Sequence, residues 1–204
     1  MVKPVDYIAD QNVLFLDLSS SCSGWCVANF NKEKRQTDIL DYGAFWFVDD
    51  DTLGFKYNKV AKFIKELCKL WKIKTVLSEA YFSNPYKSMG TNVVAELHGV
   101  IRSELYNLEE IPVWLETPPQ TWRSAGLGVK KDASKAGSSA WKFPTKIRVE
   151  EVLNFKFPEK IKSNLNDKMR KMPTDVIDAI GICIGYLSLE PNGCKIFRIE
   201  EIKE

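Results

Sequence analysis

A strongly apolar segment, residues 174–187, carries two acids at its start. It reads T-D-V-I-D-A-I-G-I-C-I-G-Y-L and is apolar on nearly every side, which predicts a buried helix. Asp175 and Asp178 are three residues apart, so they lie on one face of that helix. Two carboxylates are costly to bury unless a cation meets them, and a metal ion is the leading candidate. The alternative is that one aspartate caps the helix while the other stays partly solvated.

Short apolar runs rich in strand formers predict five strands, at residues 12–18, 24–30, 39–48, 74–78 and 112–115. The first three have short connections and therefore predict an antiparallel meander. Asp17 stands near the end of the first strand, and Glu79 directly follows the fourth. Residues 195–199 are a further candidate strand at the edge of the sheet.

Helical periodicity predicts amphipathic helices at residues 53–71 and 90–108, and Phe143-Pro144-Thr145 introduces a third. With residues 174–187 as the last helix, the chain predicts an α/β fold: a five-stranded mixed sheet, three antiparallel strands then parallel ones, flanked by helices. In this order the first and fourth strands are neighbours, and the last helix packs across them. The whole chain of 204 residues is predicted to form one domain.

Four acids can therefore converge at one place: Asp17, Glu79, Asp175 and Asp178. Carboxylates a few ångströms apart suit a site for two cations. Oxygen-only ligation favours Mg²⁺ or Mn²⁺ over zinc or copper. Zinc is disfavoured further because His98 is the only histidine and the five cysteines have no framework spacing. The small residues Ala179, Gly181 and Gly185 predict that the last helix lies close to the sheet.

Basic residues are concentrated in one part of the chain. Residues 120–172 contain thirteen Lys/Arg against five Asp/Glu, while the whole chain has a net charge of +2. This asymmetry predicts a polyanionic partner that docks at one place, and the alternative is a solvated lysine-rich loop. Residues 126–143 lack a periodic apolar face and predict a flexible basic insertion.

Cysteine usage and hydropathy bear on where the chain works. The odd number of cysteines indicates reduced thiols in an intracellular compartment. No apolar run approaches the roughly 20 residues that span a bilayer, so no membrane association is expected. These features predict a cytoplasmic location.

Three motifs, in this order, resemble the RuvC family of Holliday-junction resolvases within the RNase H-like nuclease superfamily. They are L-D-L-S-S-S-C-S-G-W at residues 16–25, L-S-E-A-Y-F at 77–82 and T-D-V-I-D-A-I-G-I at 174–182. The resemblance covers most of residues 13–187. The turn after Asp17 differs, because Leu18-Ser19 stands where the family has Pro-Gly, and the basic loop is longer. Such divergence fits a viral, phage or organellar member.

The resemblance implies a crossover junction endodeoxyribonuclease of DNA recombination and repair, which cuts a four-way junction by paired phosphodiester hydrolysis. The catalytic residues and metal ligands would be Asp17, Glu79, Asp175 and Asp178. They would hold two Mg²⁺ ions, with Mn²⁺ as a substitute, one ion activating water and the other stabilising the leaving 3′-oxygen.

The resemblance also implies DNA contacts. Phe82, with Tyr81 beside it, matches the aromatic residue that stacks at the junction centre. Arg123 in P-P-Q-T-W-R and Lys146 at the start of the next helix match basic residues of the family. The basic loop and that helix add three further candidate contacts, Lys130, Lys131 and Arg148.

The family acts as a homodimer that presents two sites to a junction. The second helix, with His98 and Gly99 near its middle, is the candidate interface. His98 is expected on the helix surface or in that interface.

Three alternative functions are kept. One is a related RNase H-like nuclease that prefers flaps, other branched DNA or RNA–DNA hybrids. Another is a kinase with an actin-like nucleotide-binding fold, which also opens with an aspartate and a Ser/Thr/Gly-rich turn, although 204 residues hold only one such lobe. The third is a nonenzymatic junction-binding protein with a decayed site.

Overall fold

The structure, a computed structural model, describes residues 8–48, 51–81, 90–135, 139–165, 168–189 and 194–199. Its strands are β1 (Asn12–Asp17), β2 (Cys22–Asn31), β3 (Gln36–Trp46), β4 (Thr75–Glu79), β5 (Val113–Thr117), β6 (Lys160–Lys162), β7 (Met169–Lys171) and β8 (Ile196–Ile199). Its α-helices are α1 (Leu53–Leu70), α2 (Gly90–Leu105), α3 (Ser139–Leu153) and α4 (Thr174–Leu189). A π-helical turn, Thr121–Gly126, follows β5.

Six strands form one mixed sheet in the order β5-β4-β1-β2-β3-β8. Strands β1, β2 and β3 make an antiparallel meander, while β4 runs parallel to β1 and β5 parallel to β4. This confirms the predicted α/β fold and the pairing of the first and fourth strands. The sheet has six strands instead of five because β8, predicted as an edge strand, pairs in parallel with β3.

The central strand β1 is buried on both faces, which explains its unbroken run of apolar residues. Successive side chains point to opposite faces of the sheet. Val13 and Phe15 belong to the apolar cluster that contains α4, whereas Leu14 and Leu16 belong to the cluster that contains α1 and α2. The sheet is therefore sandwiched between two helical layers. Helix α4 packs across β1 and β2, and not across the first and fourth strands as predicted.

Helix α3 begins at Ser139, earlier than Phe143-Pro144-Thr145 predicted, so residues 139–143 are helix and not part of the basic loop. Pro144 lies inside this helix and has no N–H for the carbonyl of Ala140, four residues before it. The backbone N–H of Asp132 donates to that carbonyl instead, at 2.9 Å. The helix tolerates its proline because the preceding segment supplies the missing hydrogen bond.

Two further observations concern the chain as a whole. None of the helices that the structure describes is long and apolar enough to cross a membrane. The five cysteines are buried free thiols, as their odd number and irregular spacing predicted.

Candidate active site

Four acids lie close together at one end of the sheet. Asp17 is the last residue of β1 and Glu79 the last of β4, and because these neighbours run parallel, both acids reach the same edge. Asp175 and Asp178 lie in the first turns of α4. Burial raises the pKa of Asp17 well above its usual range, and the charges of Asp178, Glu79 and Asp175 raise it further. The topology thus brings the four predicted acids into one electrostatic cluster, called here the acid set.

The approach of α4 to the sheet depends on Gly24. This glycine is the partner of Asp17 across the β1–β2 ladder. A Cβ atom on Gly24 would overlap the backbone carbonyl oxygen of Asp175. The first turn of α4 can therefore rest on β2, next to Asp17, because residue 24 has no side chain.

We expect Gly24→Ala to lower the melting temperature by several degrees, because α4 or β2 must shift to admit the methyl group. Overpacking of this kind typically costs about 1–3 kcal/mol. Gly54→Ala is the matched control, because a Cβ atom on Gly54 in α1 meets nothing within 4 Å and alanine favours a helix by about 1 kcal/mol. Thermal unfolding of both variants checks the prediction, and equal melting temperatures would contradict the close approach.

The glycines of α4 have a different neighbour from the one predicted. A Cβ atom on Gly181 would lie 2.7 Å from the Trp122 ring, and one on Gly185 would overlap the Trp122 carbonyl oxygen. The prediction that these two glycines let the helix lie close to the sheet is therefore wrong. They make room for the π-helical turn Thr121–Gly126, which packs directly on α4.

This π-helical turn directs two adjacent side chains into the acid set. Trp122 is fully buried, and its Nε1 donates a hydrogen bond to Glu79 Oε2 at 2.8 Å. Arg123 donates from Nη2 to Asp178 Oδ2 at 3.1 Å, and the same nitrogen lies 3.5 Å from Glu79 Oε2. The guanidinium also stacks over the Trp122 ring, 4.3 Å from its centroid. Arg123, predicted as a DNA contact, thus bridges an acid of β4 and an acid of α4.

Burial dominates the electrostatics of the acid set. It raises the pKa of Asp178 to about 6, although the charge of Arg123 opposes the shift. Burial also raises the pKa of Glu79, against the effects of Arg123 and of the Trp122 hydrogen bond. The carboxyl groups of the acid set therefore hold their protons more tightly than ordinary acids. When they ionise, the cationic groups of the chain balance their negative charge only in part.

Three residues of this site were not predicted. Lys142 lowers the pKa values of Asp175 and Asp178 by its charge, so it lies within electrostatic reach of both. It was missed because the helix was predicted to begin after it. A hydrogen bond from Ser19 also lowers the pKa of Asp175, which burial raises. Trp122 was overlooked beside Arg123, although a tryptophan between polar neighbours was an available signal for a buried indole with a hydrogen-bond partner.

Of the two aromatic residues predicted to contact DNA, the structure describes Tyr81 but not Phe82. Tyr81 is 40% exposed and packs edge to face on His98, with centroids 5.2 Å apart. Phe82 lies outside the described residues. His98 is only 1% exposed, because it is enclosed between Tyr81 and Trp114, so its expected position on the helix surface is wrong. Its Nδ1 lies 3.5 Å from Glu116 Oε1.

The other predicted basic contacts lie on α3 or in the segment before it: Lys130, Lys131, Lys146 and Arg148. The first two are exposed. Lys146 Nζ lies 3.7 Å from the carboxylate of the buried Glu150. Arg148 donates a hydrogen bond from Nε to the Leu127 carbonyl at 3.0 Å, and this bond connects α3 to the segment before it. The structure does not bring these four residues into the acid set.

The donor chemistry of the acid set fits a divalent cation. Carboxylates offer the oxygen ligands that Mg²⁺ and Mn²⁺ prefer, and a bound cation relieves the repulsion between them. Arg123 contacts only two of the four acids. Among the residues that the structure describes, no three His, Cys, Asp or Glu side chains already stand in metal-holding geometry. The acids are thus assembled but bridged by an arginine.

The sheet order and the flanking helices define an RNase H-like fold. No protein-family model matches the chain, and no curated protein sequence matches it. Solved structures identify the fold more closely. RuvC from Thermus thermophilus, in complex with a Holliday junction substrate, superposes with a TM-score of 0.61 at 12% identity, over 86% of this chain and 91% of that one.

Two further junction resolvases share this fold. The yeast mitochondrial Holliday junction resolvase Ydc2 matches with a TM-score of 0.60 at 15% identity, over 90% of this chain and 80% of that one. The fowlpox virus Holliday junction resolvase matches with a TM-score of 0.53 at 9% identity, over 86% and 97%. The chain therefore has the fold of the RuvC-like resolvases, which confirms the resemblance predicted from its motifs.

Proposed function

We propose that this protein is a metal-dependent endonuclease that resolves four-way DNA junctions by paired phosphodiester hydrolysis. The observation that carries the proposal is the acid set: two acids at the ends of parallel neighbours β1 and β4, and two on α4, which packs across β1 and β2. This placement occurs on a fold shared with three junction resolvases.

In this mechanism Asp17, Glu79, Asp175 and Asp178 would hold two Mg²⁺ ions, and the chemistry supplied by bound ions would be activation of water and stabilisation of the leaving 3′-oxygen. Trp122 orients Glu79 through its 2.8 Å hydrogen bond. The half-buried surroundings of the acid set would strengthen electrostatic interactions at the site.

Arg123 has a second role in this proposal. It already lies at the acid set, and a guanidinium is suited to bidentate contact with phosphate oxygens. Its Nε is buried and has no hydrogen-bond partner among the described residues. A phosphate oxygen that reached this side chain would satisfy that donor, so Arg123 is the residue we assign to the scissile phosphate.

Other parts of the chain would hold the junction. Tyr81, exposed two residues after Glu79, and the neighbouring Phe82 are assigned to base stacking, which contributes roughly 1–3 kcal/mol per base. The exposed Lys130 and Lys131 are assigned to backbone phosphates, together with Lys146 and Arg148. A homodimer would present two sites to one junction, with α2 as its interface. We propose the cytoplasm or nucleoid as the location, or the host cytoplasm for a viral member, because the proposed substrate is DNA.

The test is a labelled mobile four-way junction incubated with Mg²⁺. We expect symmetric paired nicks that ligase can reseal, and slower cutting of a flap, an RNA–DNA hybrid and a linear duplex. Faster cutting of the flap or hybrid would favour the related RNase H-like nuclease. Tight junction binding without nicks at any divalent cation concentration would contradict an enzymatic function.

A further inference from the structure

A short antiparallel hairpin, formed by β6 and β7, lies outside the main sheet. It pairs Lys160 with Lys171, Ile161 with Arg170 and Lys162 with Met169. The sequence in which it lies, residues 154–173, contains six basic and two acidic residues. We call β6 and β7, together with Asn164, the basic hairpin.

The basic hairpin is fixed to the same end of the sheet as the acid set. Asn164 in its connection accepts a hydrogen bond from the Trp46 backbone N–H at 2.8 Å and donates one to the Trp46 carbonyl at 3.3 Å. Trp46 ends β3 and pairs with Cys22 at the start of β2. Gly24, two residues further along β2, pairs with Asp17. The anchor of the hairpin therefore lies on the sheet edge that carries the first acid.

Arg170 lies on the side of the basic hairpin that faces this edge. Its guanidinium carbon is 6.0 Å from the centroid of the Trp46 ring. Burial and the charges of Asp175 and Asp17 raise the pKa of the Cys22 thiol, and the charge of Arg170 lowers it. Arg170 and the two acids thus lie within electrostatic reach of one side chain, which places the arginine at the rim of the acid set.

The other face of the basic hairpin points outward. Ile161 packs against the main core and fixes which side faces the protein. Lys160 and Lys171, directly opposite each other, are exposed on the outer side. Like charges in this position destabilise a strand pair. No carboxylate of the described residues forms an ion pair with Lys160, Lys171 or Arg170, so an external anion would remove this repulsion.

We propose that the basic hairpin binds the sugar–phosphate backbone of a duplex DNA arm beside the scissile phosphate. This inference rests on the proposed nuclease function. A polyanion whose cleaved bond lies in the acid set must pass its rim, where the hairpin supplies cationic side chains and is hydrogen-bonded to the end of β3. Phosphate contacts of this kind position a duplex without reading its sequence, so the hairpin would set the position of the arm.

The experiment uses two hairpin variants, the double variant Lys160→Gln/Lys171→Gln and the single variant Arg170→Gln. Both are compared with the control double variant Lys62→Gln/Lys72→Gln. The control removes the same charge from exposed lysines on or just after α1, in the opposite helical layer. Binding to a four-way junction and to a linear duplex is measured in EDTA at several salt concentrations. Melting temperatures show that each variant is folded. We expect Lys160→Gln/Lys171→Gln to melt no lower than the unmodified protein, because it removes two like charges that face each other.

We expect the hairpin double variant to bind junction and duplex several-fold more weakly, with a salt dependence shallower by about 1 to 2 in log–log slope, since each lost phosphate contact removes about 1. Arg170→Gln should make the log–log salt dependence shallower by about 1. Equal weakening in the control, or unchanged affinity and slope in the hairpin variants, would overturn the proposal. Loss of polyglutamate binding with unchanged DNA binding would assign the hairpin to an acidic protein and overturn it too.

Cleavage separates this proposal from the nuclease function. At sub-saturating protein the hairpin variants should nick the junction more slowly than the Lys62→Gln/Lys72→Gln control, in proportion to their weaker binding. If the unmodified protein binds but never nicks, the nuclease function fails, while the difference in binding between hairpin and control variants still tests the hairpin.

Discussion

Asp17→Asn is expected to abolish junction cleavage and, in EDTA, to raise the melting temperature. The two effects have one cause. Burial and three neighbouring acids raise the pKa of Asp17 well above its usual range, so its carboxylate is unfavourable in the metal-free protein. Asparagine keeps the shape and removes the charge. Cleavage should fall by more than about 100-fold, because changes even to groups that only support a metal ligand typically cost 10–100-fold.

The control for this variant is Asp41→Asn, the same substitution in β3. Asp41 is also partly buried, with a raised pKa, but its hydrogen bond comes from the Tyr42 backbone N–H and the acid set does not contribute to its shift. It should cleave normally. Junction nicking and melting in EDTA are measured for both variants. Full cleavage by Asp17→Asn would refute the assigned role of Asp17, and a lowered melting temperature would show that the carboxylate is not strained by its neighbours.

The order of elements and the convergence of the acids could be predicted from the sequence because their signals are local. An apolar run with an acid at its end predicts a buried strand that delivers a carboxylate to the sheet edge. Asp17 and Glu79 lie at the ends of neighbouring parallel strands for this reason. The spacing of Asp175 and Asp178 similarly predicts a shared helical face.

The features that sequence reasoning missed depend on contacts between distant segments. Pro144 looked like a helix start, because nothing local shows that the Asp132 N–H replaces its missing hydrogen bond. Gly181 and Gly185 looked like contacts with a sheet, but the π-helical turn fills the space beside them. The basic hairpin has strands of three residues, too short for a periodic pattern, and is held by Asn164 from outside the strands.

The second large effect concerns the stabilisation by Mg²⁺, which should be much greater near pH 8 than near pH 5. Burial raises the pKa of Asp178 from 3.8 to about 6, and the pKa values of Asp17, Glu79 and Asp175 are raised as well. The folded protein therefore binds these protons more tightly than the unfolded chain does. Without metal, their contribution to stability must fall as the pH rises from about 4 through about 6.

For Asp178 alone, a shift from 3.8 to about 6 corresponds to a loss on the order of 3 kcal/mol above the folded-state pKa. A divalent cation binds the deprotonated acids, so protons compete with it below this range. Above this range, bound Mg²⁺ should stabilise the folded state by mass action and offset the stability lost when the acids ionise. The melting temperature in MgCl₂ minus that in EDTA with matched NaCl should thus increase across the interval from about pH 5 to about pH 7.

Asp178→Asn removes this carboxyl group from the titration, and it also lowers the pKa values of Asp17 and Glu79, which the charge of Asp178 raises. In EDTA, the stability of the unmodified protein relative to this variant should decline with rising pH and level off above about pH 6. The variant should also gain less from Mg²⁺ at high pH, since one oxygen ligand has lost its charge. If Mg²⁺ raised the melting temperature equally near pH 5 and near pH 8, its binding would not require ionised acids. That result would contradict a metal site among these four carboxylates.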